Sequence, residues 1–261
     1  MEIHAKKHLG QHFLKDQNIA RKIAGSLPPT TREVLEIGPG TGSLTRHLFR
    51  TPGLTVKAVE IDAEAVDFLR ATFPDRRDSF IRGNFLEGSP ADHFPGPFAV
   101  IGNFPYNISS QIFFKILSCR ALIPVVVCMI QKEVAERVSS PSGNKSYGIL
   151  SVLLQAYYAI EYLFTVPEQV FDPPPRVKSA VIRLTRNARE SLGCNEKLFI
   201  AVVKAGFNQR RKTLRNSLKA ILPAGFASAR LSARPEQLSV EEFIELCNEI
   251  ETCKPPSHAT V

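Results

Sequence analysis

The sequence predicts an α/β protein: a doubly wound, mostly parallel sheet with an antiparallel strand added late, plus a small all-helical C-terminal domain. Three observations predict it. Short β-branched runs alternate with helical spacing through the first half, the first run ends in a glycine-rich turn, and beyond about Asn187 only helical periodicity remains.

The elements follow in order. Residues 18–26 carry Ile19 and Ile23, with Leu27 after them, at helical spacing, and Pro28-Pro29 stops that helix. Residues 33–37 form a short apolar strand that runs into Gly38-Pro39-Gly40-Thr41-Gly42, and a helix over 43–49 follows. A second strand and helix occupy 55–61 and 63–72, a third strand 79–82, and a fourth strand 98–102, ending at Asn103. A helix over 109–117 leads to a strongly β-branched fifth strand at 124–130. Then the pattern changes. Residues 147–155 read as helix, while 158–165 and 177–185 read as two late strands around a proline-stiffened loop at 166–176, which suits an antiparallel edge. Candidate helices at 196–207, 210–221, 226–231 and 240–251 make up the last part, and 254–261 reads as a frayed tail. The expected domains are therefore 1–188 and 189–261.

Composition narrows the function. Of 261 residues, 44% are hydrophobic and 22% charged, as in ordinary globular proteins, and no apolar run reaches the roughly 20 residues that a membrane helix needs. The basic N-terminus lacks the apolar core of a signal peptide, so a cytoplasmic protein is expected. Five dispersed cysteines without a C-x-x-C pair argue against a disulfide framework and against structural zinc; no metal is expected. A net charge of +8 favours a polyanionic partner, nucleic acid foremost.

The glycine turn stands where ligands bind in such sheets, beyond the carboxyl end of the first strand. Gly38 and Gly40 let the backbone approach a ligand closely, and Glu60, 22 residues after Gly38, ends the second strand where an acid can accept hydrogen bonds from ribose hydroxyls. These residues indicate a nucleoside cofactor without saying which. Asn103-Phe104-Pro105-Tyr106, directly after the fourth strand, resembles the signature of methyltransferases that act on the exocyclic amine of adenine or cytosine. Such an amine is a poor nucleophile, because its lone pair is delocalised into the ring. The Asn103 side-chain oxygen and the Phe104 carbonyl can accept its two hydrogens and steer it towards tetrahedral geometry. Pro105 stiffens the loop and Tyr106 offers a stacking face; orientation and electrostatics do the work, with no strong base required.

Four segments in one order extend the likeness: Lys7–Leu14, Gly38–Gly42, Asn103–Ser109 and Val170–Ser179. Together they resemble the ribosomal RNA adenine N6-dimethyltransferase family of the small-subunit type, over essentially the whole chain. The resemblance implies a Rossmann-like sheet binding S-adenosylmethionine, and N6,N6-dimethylation of two adjacent adenosines near the 3′ end of 16S rRNA in an assembling ribosomal subunit. It implies that His12 and Leu14 line the cofactor, that Gly38, Gly40, Glu60, Ile61, Asn84 and Phe85 bind it, and that Asn103 bridges cofactor and amine. It further implies that Phe171 stacks on the target base opposite Tyr106, as enzymes acting on an extruded base require. Two positions depart from the family's pattern, which commonly has Asn at position 12 and Asp at position 84; altered cofactor affinity is expected.

Residues 204–219 carry Lys204, Arg210, Arg211, Lys212, Arg215 and Lys219 without an acid, and Phe207, Leu214 and Leu218 can anchor them as one basic helix facing a folded RNA. A monomer is expected. Three other readings share some of these features: a large-subunit adenine dimethyltransferase of the macrolide-resistance type, an rRNA-binding assembly factor with little catalysis, and a small-molecule methyltransferase.

Overall fold

The computed structural model describes residues 3–253, and the expected tail from Lys254 lies outside them. In chain order the elements are β1 (Phe13–Leu14), α1 (Gln17–Ala24), β2 (Glu33–Ile37), α2 (Thr45–Leu48), β3 (Thr55–Glu60), α3 (Ala63–Thr72), β4 (Phe80–Arg82) and β5 (Ala99–Asn103). Then come α4 (Ser109–Ser118), β6 (Val125–Gln131), α5 (Lys132–Ser139), α6 (Ile149–Gln155), β7 (Tyr158–Val166), β8 (Phe171–Asp172), β9 (Ser179–Arg186), α7 (Glu196–Asn208), α8 (Leu214–Ser217) and α9 (Val240–Thr252).

The main sheet has seven strands in the order β4-β3-β2-β5-β6-β9-β7. Strands β2 to β6 run parallel, and β9 returns antiparallel to β6 with Gln131 opposite Ser179. The central strands β2, β5 and β6 are buried along nearly their whole length, which explains why they read as continuous apolar runs. Leu14, Ile23, Val34, Leu48, Ile101, Met129, Phe171 and Val181 form one core cluster of this sheet, and Ala58, Val66, Leu69 and Phe80 a smaller one. Each such large side chain contributes on the order of 2 kcal/mol by leaving water. From β2 the chain builds outward to β3 and β4 on one side and later to β5 and β6 on the other. That reversal opens a crevice at the carboxyl ends of β2 and β5.

Two compact units divide the chain. One holds the residues up to Ala135 with Ala159–Arg186; the other holds Glu136–Tyr158 with the residues from Asn187. The sequence placed one boundary near residue 188, whereas 136–158 belongs with the later helices: α6 packs on α7 and α9. A short apolar helix such as α6 carries no local signal of which core it joins.

Neither the expected helix over 210–221 nor one continuous basic helix over 204–219 forms. Helix α7 ends at Asn208, the chain turns through 209–213, and only α8 remains regular. The Leu214 amide donates to the Ala233 carbonyl at 2.8 Å, a tertiary bond that draws the backbone out of the helical ladder. Successive cations without an acid offer no (i, i+4) pair to resist it. The expected helix at 226–231 is likewise a short 3-10 turn, Ala229–Ser232, because the Ser228 hydroxyl accepts from the Arg230 amide and starts the turn later.

Candidate active site at the switch point of the sheet

The crevice holds a pocket lined by the glycine turn, the ends of β2, β3 and β5, and the N-terminal residues Leu9–Leu14. Of the residues expected from the sequence, His12, Leu14, Gly38, Gly40, Glu60, Ile61, Asn103, Phe104, Pro105 and Tyr106 all line it. The geometry explains why segments so distant in sequence meet. Gly38 and Gly40 have φ of 66° and 54°, left-handed values that glycine alone adopts freely. A Cβ on Gly40 would lie 2.9 Å from the Phe13 ring, so the N-terminal segment rests directly on the turn. Gly102 allows β2 and β5 to close together: a Cβ there would meet the Ile37 carbonyl oxygen at 2.4 Å.

The N-terminal segment is pinned at several points. Lys6 pairs with Asp62 at 2.8 Å and Glu64 at 3.1 Å, and its backbone amide donates to Gln11 Oε1. Leu14 pairs with Phe171 across β1 and β8, and the Lys15 amide donates to the Val170 carbonyl. His12 Nδ1 donates to the Pro173 carbonyl at 2.8 Å. The proline-rich loop therefore holds this segment in place.

Two buried carboxylates face the pocket. Glu60 accepts from the Gly40 amide at 3.1 Å and the Asp62 amide at 3.0 Å, and burial raises its pKa above the usual carboxylate value. Glu36, which sequence reasoning missed, lines the pocket from β2, and its Oε2 has no hydrogen-bond partner. Desolvation pushes its carboxyl up to about 8; the Thr45 hydroxyl offsets this only in part and the Glu60 charge adds to it. The detectable signal was an acid among the apolar residues Val34, Leu35 and Ile37, two residues before the glycine turn. Beside them Ile61 leaves 51% of its surface exposed in a pocket wall. A buried acid with one unpartnered oxygen, a second acid held by the glycine turn and an exposed apolar face fit a cationic nucleoside such as S-adenosylmethionine.

At the other wall, the Asn103 side-chain amide donates to the His12 carbonyl at 2.8 Å. With its nitrogen so engaged, Asn103 keeps Oδ1 as an acceptor, and among the described residues nothing donates to it. The Phe104 amide is tied to the Met129 carbonyl at 3.0 Å, and its ring is fully buried edge-on to Phe113. Tyr106 shares a hydrogen bond with Ser179, a second residue the sequence did not single out, and burial raises the pKa of its hydroxyl.

Three expected residues stand elsewhere. Phe171 is wholly buried in the core against Leu14, so the clamp with Tyr106 is absent; the ring stacked on Tyr106 is His12, at 5.5 Å between centroids. The β1–β8 pairing fixes which way Phe171 points. Asn84 and Phe85 follow β4 outside the lining: Asn84 closes its own turn, donating to Glu87 and accepting from the Leu86 amide, and Phe85 is buried. In the second unit, Lys204, Arg210, Arg211, Lys212 and Arg215 are exposed while Phe207, Leu214 and Leu218 are buried, as the spacing suggested. Arg210, however, donates to the Lys145 and Tyr147 carbonyls. Among the described residues no cluster could hold a metal ion, and no helix is long and apolar enough to cross a membrane.

This sheet, with its glycine turn, acidic strand end and Asn103–Tyr106 wall, is that of an S-adenosylmethionine-dependent methyltransferase. Residues 3–252 match the family described as ribosomal RNA adenine dimethylase, and the chain belongs to that family. It is 56% identical over 251 residues to the ribosomal RNA small subunit methyltransferase A of Cytophaga hutchinsonii, covering 95% of this chain and 97% of that one. The protein of the same description from Parabacteroides distasonis is 57% identical over 245 residues, 92% of each chain. Among solved structures, a dimethyladenosine transferase from Plasmodium falciparum superposes with a TM-score of 0.75 at 25% identity, covering 92% of this chain and 98% of that one. The 23S rRNA methyltransferase ErmE gives 0.66 at 27%, covering 90% and 99%. The chain is thus an S-adenosylmethionine-dependent enzyme acting on adenine in ribosomal RNA.

Proposed function

We propose that this enzyme dimethylates two adjacent adenosines near the 3′ end of small-subunit (16S) rRNA, on an assembling ribosomal subunit. The observation that carries the reading is the anchored Asn103 amide, whose nitrogen is held by the His12 carbonyl at 2.8 Å, leaving Oδ1 for an amine hydrogen. When bound, S-adenosylmethionine supplies the electrophilic methyl carbon. Asn103 Oδ1 and the Phe104 carbonyl accept the two N6 hydrogens and aim the nitrogen lone pair; Tyr106, tethered by Ser179, supports the ring. Glu60 and Gly38 hold the cofactor's ribose side, Ile61 its base, and Glu36, where ionised, favours its positive charge. The small-subunit choice is supported by the names of relatives more than half identical over nearly their whole length. The likeness to ErmE, a 23S rRNA methyltransferase, sustains large-subunit rRNA as the second reading.

The test is transfer of labelled methyl groups to immature small and large subunits, followed by nucleoside analysis. Dimethyladenosine in the small subunit, reduced about 100-fold or more by Asn103→Ala, is expected, because one fixed acceptor in such a site is worth about 3 kcal/mol. Label confined to the large subunit would transfer the assignment to the second reading.

A further inference from the structure

Phe171 of the proline-rich loop is buried in the core, and the loop is held at both ends. At one end Asp172 pairs with Phe13, and the Pro173 carbonyl accepts from His12. Pro175 is buried in the middle. At the other end the Lys178 carbonyl accepts from the Lys132 amide at 2.9 Å, Ser179 pairs with Gln131, and the Ser179 hydroxyl holds that of Tyr106. Between these anchors Arg176, Val177 and Lys178 are all exposed, Val177 to 45%. Neither the Arg176 nor the Lys178 side chain bonds to an acid or a carbonyl among the described residues, although Asp172 lies nearby in sequence. A β-branched apolar residue held out in water between two unpaired cations gains nothing for the fold.

Its position gives it a use. A base stacked at Tyr106 keeps its ribose and both flanking phosphates outside the pocket, and Tyr106 is tied to the residue next to Lys178. Arg176 lies at most about 11 Å along the chain from Ser179. Extruding a base leaves a gap in its stack, and apolar side chains of nucleic-acid-bending proteins insert between base steps. Because the loop is tied at both ends, less conformational entropy is lost when it makes contact.

We propose that Arg176-Val177-Lys178 is a second RNA-contacting surface: Val177 occupies the space left by the extruded target adenosine, and Arg176 and Lys178 hold the phosphates beside it. This rests on the adenine-methylating reading above and is separate from the cationic segment at 204–215.

The test uses immature small subunits and full-length protein, with S-adenosylhomocysteine affinity and melting temperature as checks on the fold. Arg176→Gln with Lys178→Gln should weaken subunit binding about 10-fold, and lower the slope of log Kd against log salt by about 1.4, the value for two single-strand phosphate contacts. Val177→Ala should lower kcat about 10-fold at saturating subunit with KM little changed, and Val177→Leu, which still fills the gap, should recover most of the rate. A wild-type salt slope in the double variant, with cofactor affinity intact, overturns the phosphate contacts. A wild-type kcat in Val177→Ala overturns the wedge. If the wild-type enzyme yields no dimethyladenosine while the double variant still loses salt slope, the methylation reading fails and the RNA contact stands.

Discussion

Replacing Glu36 by Gln should stabilise the enzyme near neutral pH and weaken its hold on a cationic cofactor. The carboxyl sits in β2 with almost no exposure, and its pKa rises from the ordinary 4.5 to about 8 because burial penalises the charge. Below about pH 4.5 both folded and unfolded chains carry the proton, and Glu36 contributes nothing to the pH dependence. Between about 4.5 and 8 the unfolded chain ionises while the folded one keeps its proton. The folded state then binds more protons, so stability falls as pH rises, by up to about 1.4 kcal/mol per pH unit. At pH 7 the accumulated loss is about 3 kcal/mol at most, and above about 8 it levels off. Glutamine has the same shape and no charge to lose, but its amide needs hydrogen-bond partners where Glu36 Oε2 has none, which costs about 1–2 kcal/mol. A net gain of about 1–2 kcal/mol at pH 7 should remain, shrinking or reversing towards pH 5. The assay is denaturant unfolding of both proteins from pH 5 to 8, with S-adenosylmethionine affinity by calorimetry at each pH. Parallel stability profiles for wild type and variant would refute the buried-proton argument. Unchanged cofactor affinity at pH 8 would show that the carboxylate faces the pocket without serving it.

Packing and charge give three further expected outcomes. Gly102→Ala should lower the melting temperature by several degrees and methyl transfer by about 100-fold, because its Cβ meets the Ile37 carbonyl oxygen at 2.4 Å and must displace β2, β5 or both. Calorimetric melting with steady-state kinetics would check it, and wild-type values in both would mean that the strands can part without moving Gly38 or Asn103. Arg211→Gln with Lys212→Gln should reduce the salt slope of rRNA binding without affecting thermal stability. Arg210→Gln should cost about 1–3 kcal/mol of stability, since that guanidinium holds the Lys145 and Tyr147 carbonyls. Salt-dependent binding and melting curves on the two proteins separate the roles; equal loss of stability in both would mean that all three cations serve the fold.

The alternation of β-branched runs with helical spacing was enough to place β2, β3, β5 and β6; β2, β5 and β6 are apolar along nearly their whole length because they are buried on both faces. The glycine turn, Glu60 and Asn103–Tyr106 were equally legible, since each needs particular residue types at the carboxyl end of a strand. What depended on partners far along the chain was not. The direction of the Phe171 ring followed from pairing with Leu14, and the orientation of the Asn103 amide from the His12 carbonyl. The pKa of Glu36 followed from what surrounds β2, and the backbone of Leu214 from a carbonyl at Ala233. Local sequence records propensity and periodicity. Burial, hydrogen-bond partners and the side a ring faces are properties of residues brought together by folding, and here only the tertiary structure decided them.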